Sequence, residues 1–255
     1  MSSQKLLTTT RRGGVWWPET DDEPPEDATI DVVIPALDEE KSLPMVLANI
    51  PWAWVRRVVV ADNGSSDDTA RVAEAGGAEV VRESQRGYGA ACLAALEHLR
   101  GDPPDIVVFM DADFSDYPQE LPRVVGPILA DDAELVIGSR TIGQREQGAL
   151  LPQAVFGNEL ACTLIKGLYG YRFTDLGPFR AVTWRSLQRI DMQDEDFGWT
   201  VEMQVKAAKL GLPTVEVPVS YRKRVGVSKV TGTLEGTVKA GQKILYTIFR
   251  QYVSD

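Results

Sequence analysis

The feature that most constrains this chain is a recurrence: short valine- and isoleucine-rich runs, most of them closed by a polar cluster, with helix-forming sequence between several of them. The runs are Ile30-Asp31-Val32-Val33-Ile34-Pro35, Val55-Arg56-Arg57-Val58-Val59-Val60-Ala61, Ala78-Glu79-Val80-Val81, Asp105-Ile106-Val107-Val108-Phe109-Met110 and Glu134-Leu135-Val136-Ile137-Gly138. Apolar runs this short and this rich in β-branched residues predict strands. Asp67-Asp68-Thr69 opens a predicted helix through residue 75, and the alanine- and leucine-rich stretch 88–100 predicts another. Strands alternating with helices build a mainly parallel sheet covered on both faces. Such sheets bind ligands beyond the carboxyl ends of their strands, where the polar clusters of this chain stand.

The second half continues with predicted helices at 153–169 and 198–210 and a strand at Thr214–Val219. A closing helix over 234–253 has Val238, Gly241, Leu245, Ile248 and Tyr252 on one side. No internal repeat or linker divides the chain. The expectation is a single α/β domain over residues 29–232, preceded by a flexible polar segment, 1–28, and followed by an amphipathic helix, 233–255.

Composition excludes several functions. A net charge of −10 argues against a general nucleic-acid binder, which carries a basic face. Cys92 and Cys162 lack metal-ligand spacing and lie in apolar surroundings, so they read as buried free thiols. His98 is the only histidine and falls near a helix end, which argues against a histidine-based triad or a His-rich metal site. With no apolar leader core and no run near the ~20 residues of a membrane span, the expected location is cytoplasmic, at most peripheral to a membrane.

Asp111-Ala112-Asp113 follows the fourth apolar run. Two carboxylates one residue apart at the mouth of a sheet can direct oxygens at one point. A hard divalent ion such as Mg²⁺ or Mn²⁺ takes oxygen ligands and shares them with substrate phosphates. The same residue types also suit a solvated turn. Ile34-Pro35-Ala36-Leu37-Asp38-Glu39-Glu40 follows the first run, and Asp62-Asn63-Gly64-Ser65-Ser66-Asp67-Asp68-Thr69 the second. Asp62 can accept a hydrogen bond from a nucleotide base, and Asn63-Gly64 supplies a tight turn; ordinary turn and capping chemistry is the plain alternative. Arg86-Gly87-Tyr88-Gly89-Ala90-Ala91 opens a helix with small residues that favour phosphate or a close backbone approach. Arg222-Lys223-Arg224-Val225-Gly226-Val227-Ser228-Lys229 is a basic loop in an acidic protein.

Taken in order, these motifs resemble the family 2 glycosyltransferases of GT-A fold, most closely the dolichyl-phosphate mannose synthase-like branch, over roughly residues 30–232. Asp62–Thr69 resembles the branch's D-D-G-S-x-D-x-T element with Asn63 in place of the second Asp. Arg86–Ala91 resembles R-G-x-G-x-A, Asp111–Asp113 the D-A-D metal motif, and Gly138-Ser139-Arg140 its G-S-R. Thr174–Arg180 resembles T-D-x-x-S-G-F-R, and Arg224 with Gly226–Lys229 resembles R-x-G-x-S-K. Ser115 stands where many members carry a metal-binding Gln, with Asp116 next to it, and Leu37 stands where an aromatic residue commonly stacks on the base.

The resemblance implies a Rossmann-like GT-A fold and an inverting, metal-dependent hexosyltransferase. Its donor would be a nucleotide-diphosphate sugar, GDP-mannose or UDP-glucose, and its acceptor a polyprenyl phosphate. It implies that Pro35, Leu37, Glu39, Asp62, Arg86, Gly87 and Asp111 bind the donor and that Asp111 and Asp113 hold Mg²⁺ or Mn²⁺. Arg140, Arg145, Arg224, Ser228 and Lys229 would surround the acceptor phosphate, with Asp111, Asp113, Arg140 and Lys229 at the reacting centre. A soluble or glycan acceptor is the first alternative, with Glu202 or Asp175 as the base. A non-catalytic nucleotide-sugar-binding protein is the second.

Overall fold

The computed structural model describes residues 10–12, 15–17, 24, 26–226 and 234–253. Strands β1 (Thr10–Arg12) and β2 (Val15–Trp17) pair antiparallel within the segment read as a lead-in. The main sheet takes β3 (Ile30–Ala36), β4 (Arg57–Asp62), β5 (Glu79–Arg82), β6 (Ile106–Phe109), β7 (Leu135–Ser139), β8 (Arg180–Thr183) and β9 (Thr214–Pro218) in the order β5-β4-β3-β6-β8-β7-β9. All its pairings are parallel except those of β8, which runs antiparallel to β6 and β7.

Alternation along the strands sorts side chains into two cores. Val32, Ile34, Val58, Val60 and Val108 face one layer, which includes helices α1 (Leu43–Ala48) and α4 (Leu121–Leu129) and Ala73 of α2 (Thr69–Ala75). Val33, Val59, Ala61, Val107 and Phe109 face the other, packed by α3 (Tyr88–Leu99), α5 (Pro152–Tyr169), α6 (Trp184–Ile190), α7 (Trp199–Lys209) and Ile248 of α8 (Leu234–Val253). Phe109 meets Trp199 edge-on, with ring centroids 5.9 Å apart.

The chain leaves β3 toward β4 on one side and comes back to β6 on the other, so strand order reverses at β3. The β3–β6 ladder ends at Val33–Phe109. Beyond it opens a crevice with Pro35, Ala36 and Leu37 on one wall and Asp111–Asp113 on the other. This is the switch point at which doubly wound sheets take their ligands. Both cysteines are buried and unpaired, and His98 is exposed beside Glu79. Among the described residues no helix is long and apolar enough to cross a membrane.

Candidate active site

The crevice is a cavity of about 440 Å³. Its walls bring together Pro35, Leu37, Glu39, Arg86, Gly87, Asp111, Asp113 and Arg224 from motifs far apart in sequence. Asn63, Tyr88, Asp196 and Phe197 also line it, and none of these four follows from the motifs as binding residues.

The wall carrying Leu37 and Glu39 is stitched from two turns. The Ser65 hydroxyl accepts from Asp38 N at 2.9 Å, and Asp38 Oδ1 accepts from Ser66 N at 2.6 Å. Thr69 Oγ1 accepts from Glu39 N at 2.8 Å. Asp62 is buried, with Oδ1 capping Ser65 N at 3.0 Å, so it holds the turn next to the cavity. Asn63 donates to Gln85 O at 2.7 Å and accepts from Gly87 N at 2.8 Å. An aspartate could not make the first of these bonds, which accounts for an amide at this position.

The glycines of Arg86–Ala91 allow a close backbone approach. A Cβ on Gly87, at φ +150°, would lie 2.0 Å from Glu195 O, and one on Gly89 would lie 1.8 Å from Asp194 O. Ala90 N donates to Glu195 O at 2.9 Å. The 193–198 loop is thereby pressed onto the start of α3 and carries Asp196 and Phe197 into the cavity wall. Glu202 is 2% exposed; it accepts from Asp194 N at 2.8 Å and pairs with Lys206 at 2.8 Å. It supports this loop, and a role as a base does not fit these contacts.

Three acidic side chains, Asp111, Asp113 and Asp116, gather at the floor. Tyr88 donates its hydroxyl to Asp111 Oδ1 at 3.1 Å. Burial, and then the neighbouring Asp113, push the Asp111 carboxyl up to about 7. Burial, followed by Asp111 and Asp113, lifts Asp116 well above the carboxylate range. Asp116 Oδ1 is buried without a hydrogen-bond partner. Asp113 Oδ1 accepts from Ser115 N at 2.8 Å and from the Ser115 hydroxyl. Ser115 therefore orients Asp113 instead of offering the oxygen that a Gln would. Phe114 adopts φ +63°, an unusual conformation that turns the chain sharply between Asp113 and Ser115.

The basic loop reaches this floor through its backbone. Arg222 N donates to Ser115 O at 3.0 Å, and Val225 N to Asp113 O at 2.9 Å. The Arg222 guanidinium lies over the rings of Phe114 and Tyr117, at 3.4 and 4.0 Å from their centroids. Arg224 Nη2 is 3.0 Å from Asp113 Oδ2 and 3.5 Å from Glu39 Oε1. Ser228 and Lys229 lie outside the described residues.

Arg140 and Arg145 are not in the cavity wall. Arg140 is clamped by Asp175, through Nε–Oδ2 at 2.8 Å and Nη2–Oδ1 at 2.7 Å. It still acts electrostatically on Asp111 and Asp116, favouring their charged forms. Asp175 is committed to that clamp, which leaves it poorly suited to act as a base. Arg145 sits on an exposed loop whose backbone bridges to Tyr221.

Among the described residues, no group of three or more His, Cys, Asp or Glu side chains is arranged to hold a metal by itself. The floor nevertheless has the chemistry of a shared site: oxygen donors only, an orphaned carboxylate oxygen, and carboxyls crowded enough to resist ionising together. A hard divalent cation suits such a set when phosphate oxygens complete its shell.

Comparison with known proteins gives consistent findings. The model of glycosyl transferase family 2 matches residues 31–187. An uncharacterised glycosyltransferase of Mycobacterium tuberculosis is 38% identical over 213 residues, 83% of this chain and 94% of the relative. The undecaprenyl-phosphate mannosyltransferase of Micrococcus luteus is 30% identical over 225 residues, 80% of this chain and 88% of the relative. Among solved structures, glucosyl-3-phosphoglycerate synthase of M. tuberculosis, in complex with Mn²⁺, UDP-glucose and phosphoglyceric acid, superposes with a TM-score of 0.71. It is 26% identical and the match covers 89% of this chain and 80% of that one.

Proposed function

The chain belongs to glycosyl transferase family 2 and is a glycosyltransferase, and from that premise we propose that it moves a hexose from GDP-mannose or UDP-glucose to a polyprenyl phosphate at a membrane surface, inverting the anomeric centre. The observation that carries this reading is the crevice at the sheet's switch point, which joins the Pro35–Glu39 wall to an acidic floor with Arg224 beside it. Residues 29–232 form the catalytic body on this reading, and 233–255 an amphipathic helix.

Pro35, Leu37 and Glu39, with Asp62 behind them, border the base, and Arg86 and Gly87 border the donor's phosphates. Asp111 and Asp113 would hold the Mg²⁺ or Mn²⁺, with phosphate oxygens completing its shell. Such an ion, when bound, neutralises charge on the diphosphate. Arg224, beside Asp113, would stabilise the departing diphosphate. Arg140, Arg145, Ser228 and Lys229 serve the acceptor phosphate, and Arg140 must trade part of its clamp on Asp175 to do so. A phosphate oxygen is already anionic and requires no base, in keeping with the committed contacts of Glu202 and Asp175. The relative from M. luteus is named for a lipid-phosphate acceptor. Exposed Tyr246, Phe249 and Tyr252 on α8 suit an interfacial helix.

A second reading has a specific observation behind it. Asp196 lines the crevice, where a carboxylate can take a proton from a hydroxyl acceptor. The synthase of similar fold was captured with the soluble phosphoglyceric acid. Incubation with labelled GDP-mannose or UDP-glucose, Mn²⁺ and membrane lipids separates the two. Label extracted into organic solvent, and retained in Asp196→Asn, is expected. Label confined to water, and lost in Asp196→Asn, overturns the lipid-phosphate acceptor. Donor turnover that persists in Asp111→Asn/Asp113→Asn overturns the metal assignment.

A further inference from the structure

The ion pairs described in the crevice wall both belong to Arg224. Arg224 lines the cavity, yet its guanidinium points into the acidic floor, within 3.0 Å of Asp113 Oδ2 and 3.5 Å of Glu39 Oε1. Its Nε is buried and has no hydrogen-bond partner among the described residues. Across the floor, Asp116 Oδ1 is also buried without one. The centre thus has an incompletely satisfied cation against an incompletely satisfied set of carboxylates. Such a contact holds charge balance without filling every site of hydrogen bonding.

We propose that Arg224 is a built-in countercation of the acidic floor, which competes with the divalent ion for Asp113 and so makes metal binding depend on the arrival of the donor's diphosphate. The inference rests on the assignment of Asp111 and Asp113 as the metal site. Without nucleotide, an incoming ion must displace the guanidinium from Asp113 or share the carboxylate with it, and two cations at one carboxylate repel. The diphosphate offers Arg224 an alternative anion, and a planar guanidinium binds phosphate oxygens well through paired N–H groups. Arg224 can change partners by side-chain rotation alone, because Val225 N on Asp113 O, at 2.9 Å, keeps the backbone in place. The diphosphate therefore removes a competitor as well as adding ligands. By linkage, metal raises nucleotide affinity by the same factor.

The test is Mn²⁺ binding to the full chain, read by electron paramagnetic resonance, with and without UDP or GDP. Removing the competitor in Arg224→Gln should tighten binding of Mn²⁺ alone by about tenfold. Arg224→Lys, which keeps the charge, should stay near the wild type. With nucleoside diphosphate present, the order should reverse and Arg224→Gln should bind Mn²⁺ more weakly than the wild type. Arg224→Gln binding Mn²⁺ alone no more tightly than the wild type, with an unchanged melting temperature, overturns the proposal. Asp113→Asn marks the separate failure: if Mn²⁺ binding survives that substitution in the presence of nucleotide, the metal assignment itself is wrong.

Discussion

Asp111 shows how much a single carboxyl can be asked to do. Burial and Asp113 raise it from 3.8 to about 7, so the folded protein holds a proton that the unfolded chain has already lost. Between those values the native state binds more protons, and stability must fall as pH rises. Titrating the metal-free protein by urea unfolding should therefore show this centre destabilising the fold from about pH 4 to pH 7. Asp111→Asn should flatten that slope. Metal requires the ionised form, so Mn²⁺ binding in the presence of nucleotide should tighten over the same range. A slope identical in wild type and Asp111→Asn contradicts the assignment. Gly89 makes a different kind of demand. Its missing Cβ leaves room for Asp194 O, and Gly89→Ala should cost about 1–3 kcal/mol in urea unfolding as the loop is pushed away.

At the scale of elements, the 193–198 loop is the part that sequence patterning leaves obscure. It contributes Asp196 and Phe197 to the crevice only because α3 presents glycines to it and Glu202 on α7 caps it. The glycine contacts join residues about 100 positions apart, and no local period encodes them. Glu202→Ala leaves the amides of Gln193 and Asp194 unpaired and reduces Lys206 to its bond with Asp191 O. It should destabilise the protein by about 2 kcal/mol and speed hydrogen exchange across residues 193–198. The Val/Ile-rich strands, by contrast, are plain from composition, and so are the long helices α3, α5, α7 and α8. β8 escapes because Arg180-Ala181-Val182-Thr183 is short and starts with an arginine. That side chain is buried and satisfied by the carbonyls of Gly177 and Thr200. α1 and α4 escape because Pro44, Pro122 and Pro127 read as breakers, although the first two sit in the first helical turn, where proline is tolerated. The Asp111–Asp113 floor was legible as a motif, but its bond to Tyr88 and the inward turn of Arg224 needed the fold.

For the whole molecule, the crevice joins both sides of the switch point, so ligands there should stabilise all of it together. Mn²⁺ with the matching nucleotide sugar at 100 times its Kd should add about 2.7 kcal/mol. For a chain of this size that raises Tm by several degrees. EDTA should cancel most of the gain, and a donor with the wrong base should produce little. A thermal-shift series over UDP-, GDP- and dTDP-sugars reads both outcomes and identifies the donor.

Cys92 lies one turn beyond Tyr88 on α3, buried under the acidic floor. Burial, and then Asp111, lift its thiol well above the ordinary range. A thiol reagent can reach it only when α3 lifts from the sheet, so its labelling rate is a clock for breathing of the floor. Resolved from Cys162 by peptide mapping, the rate at which this one sulfur becomes reactive, with and without donor, times how often the crevice comes apart.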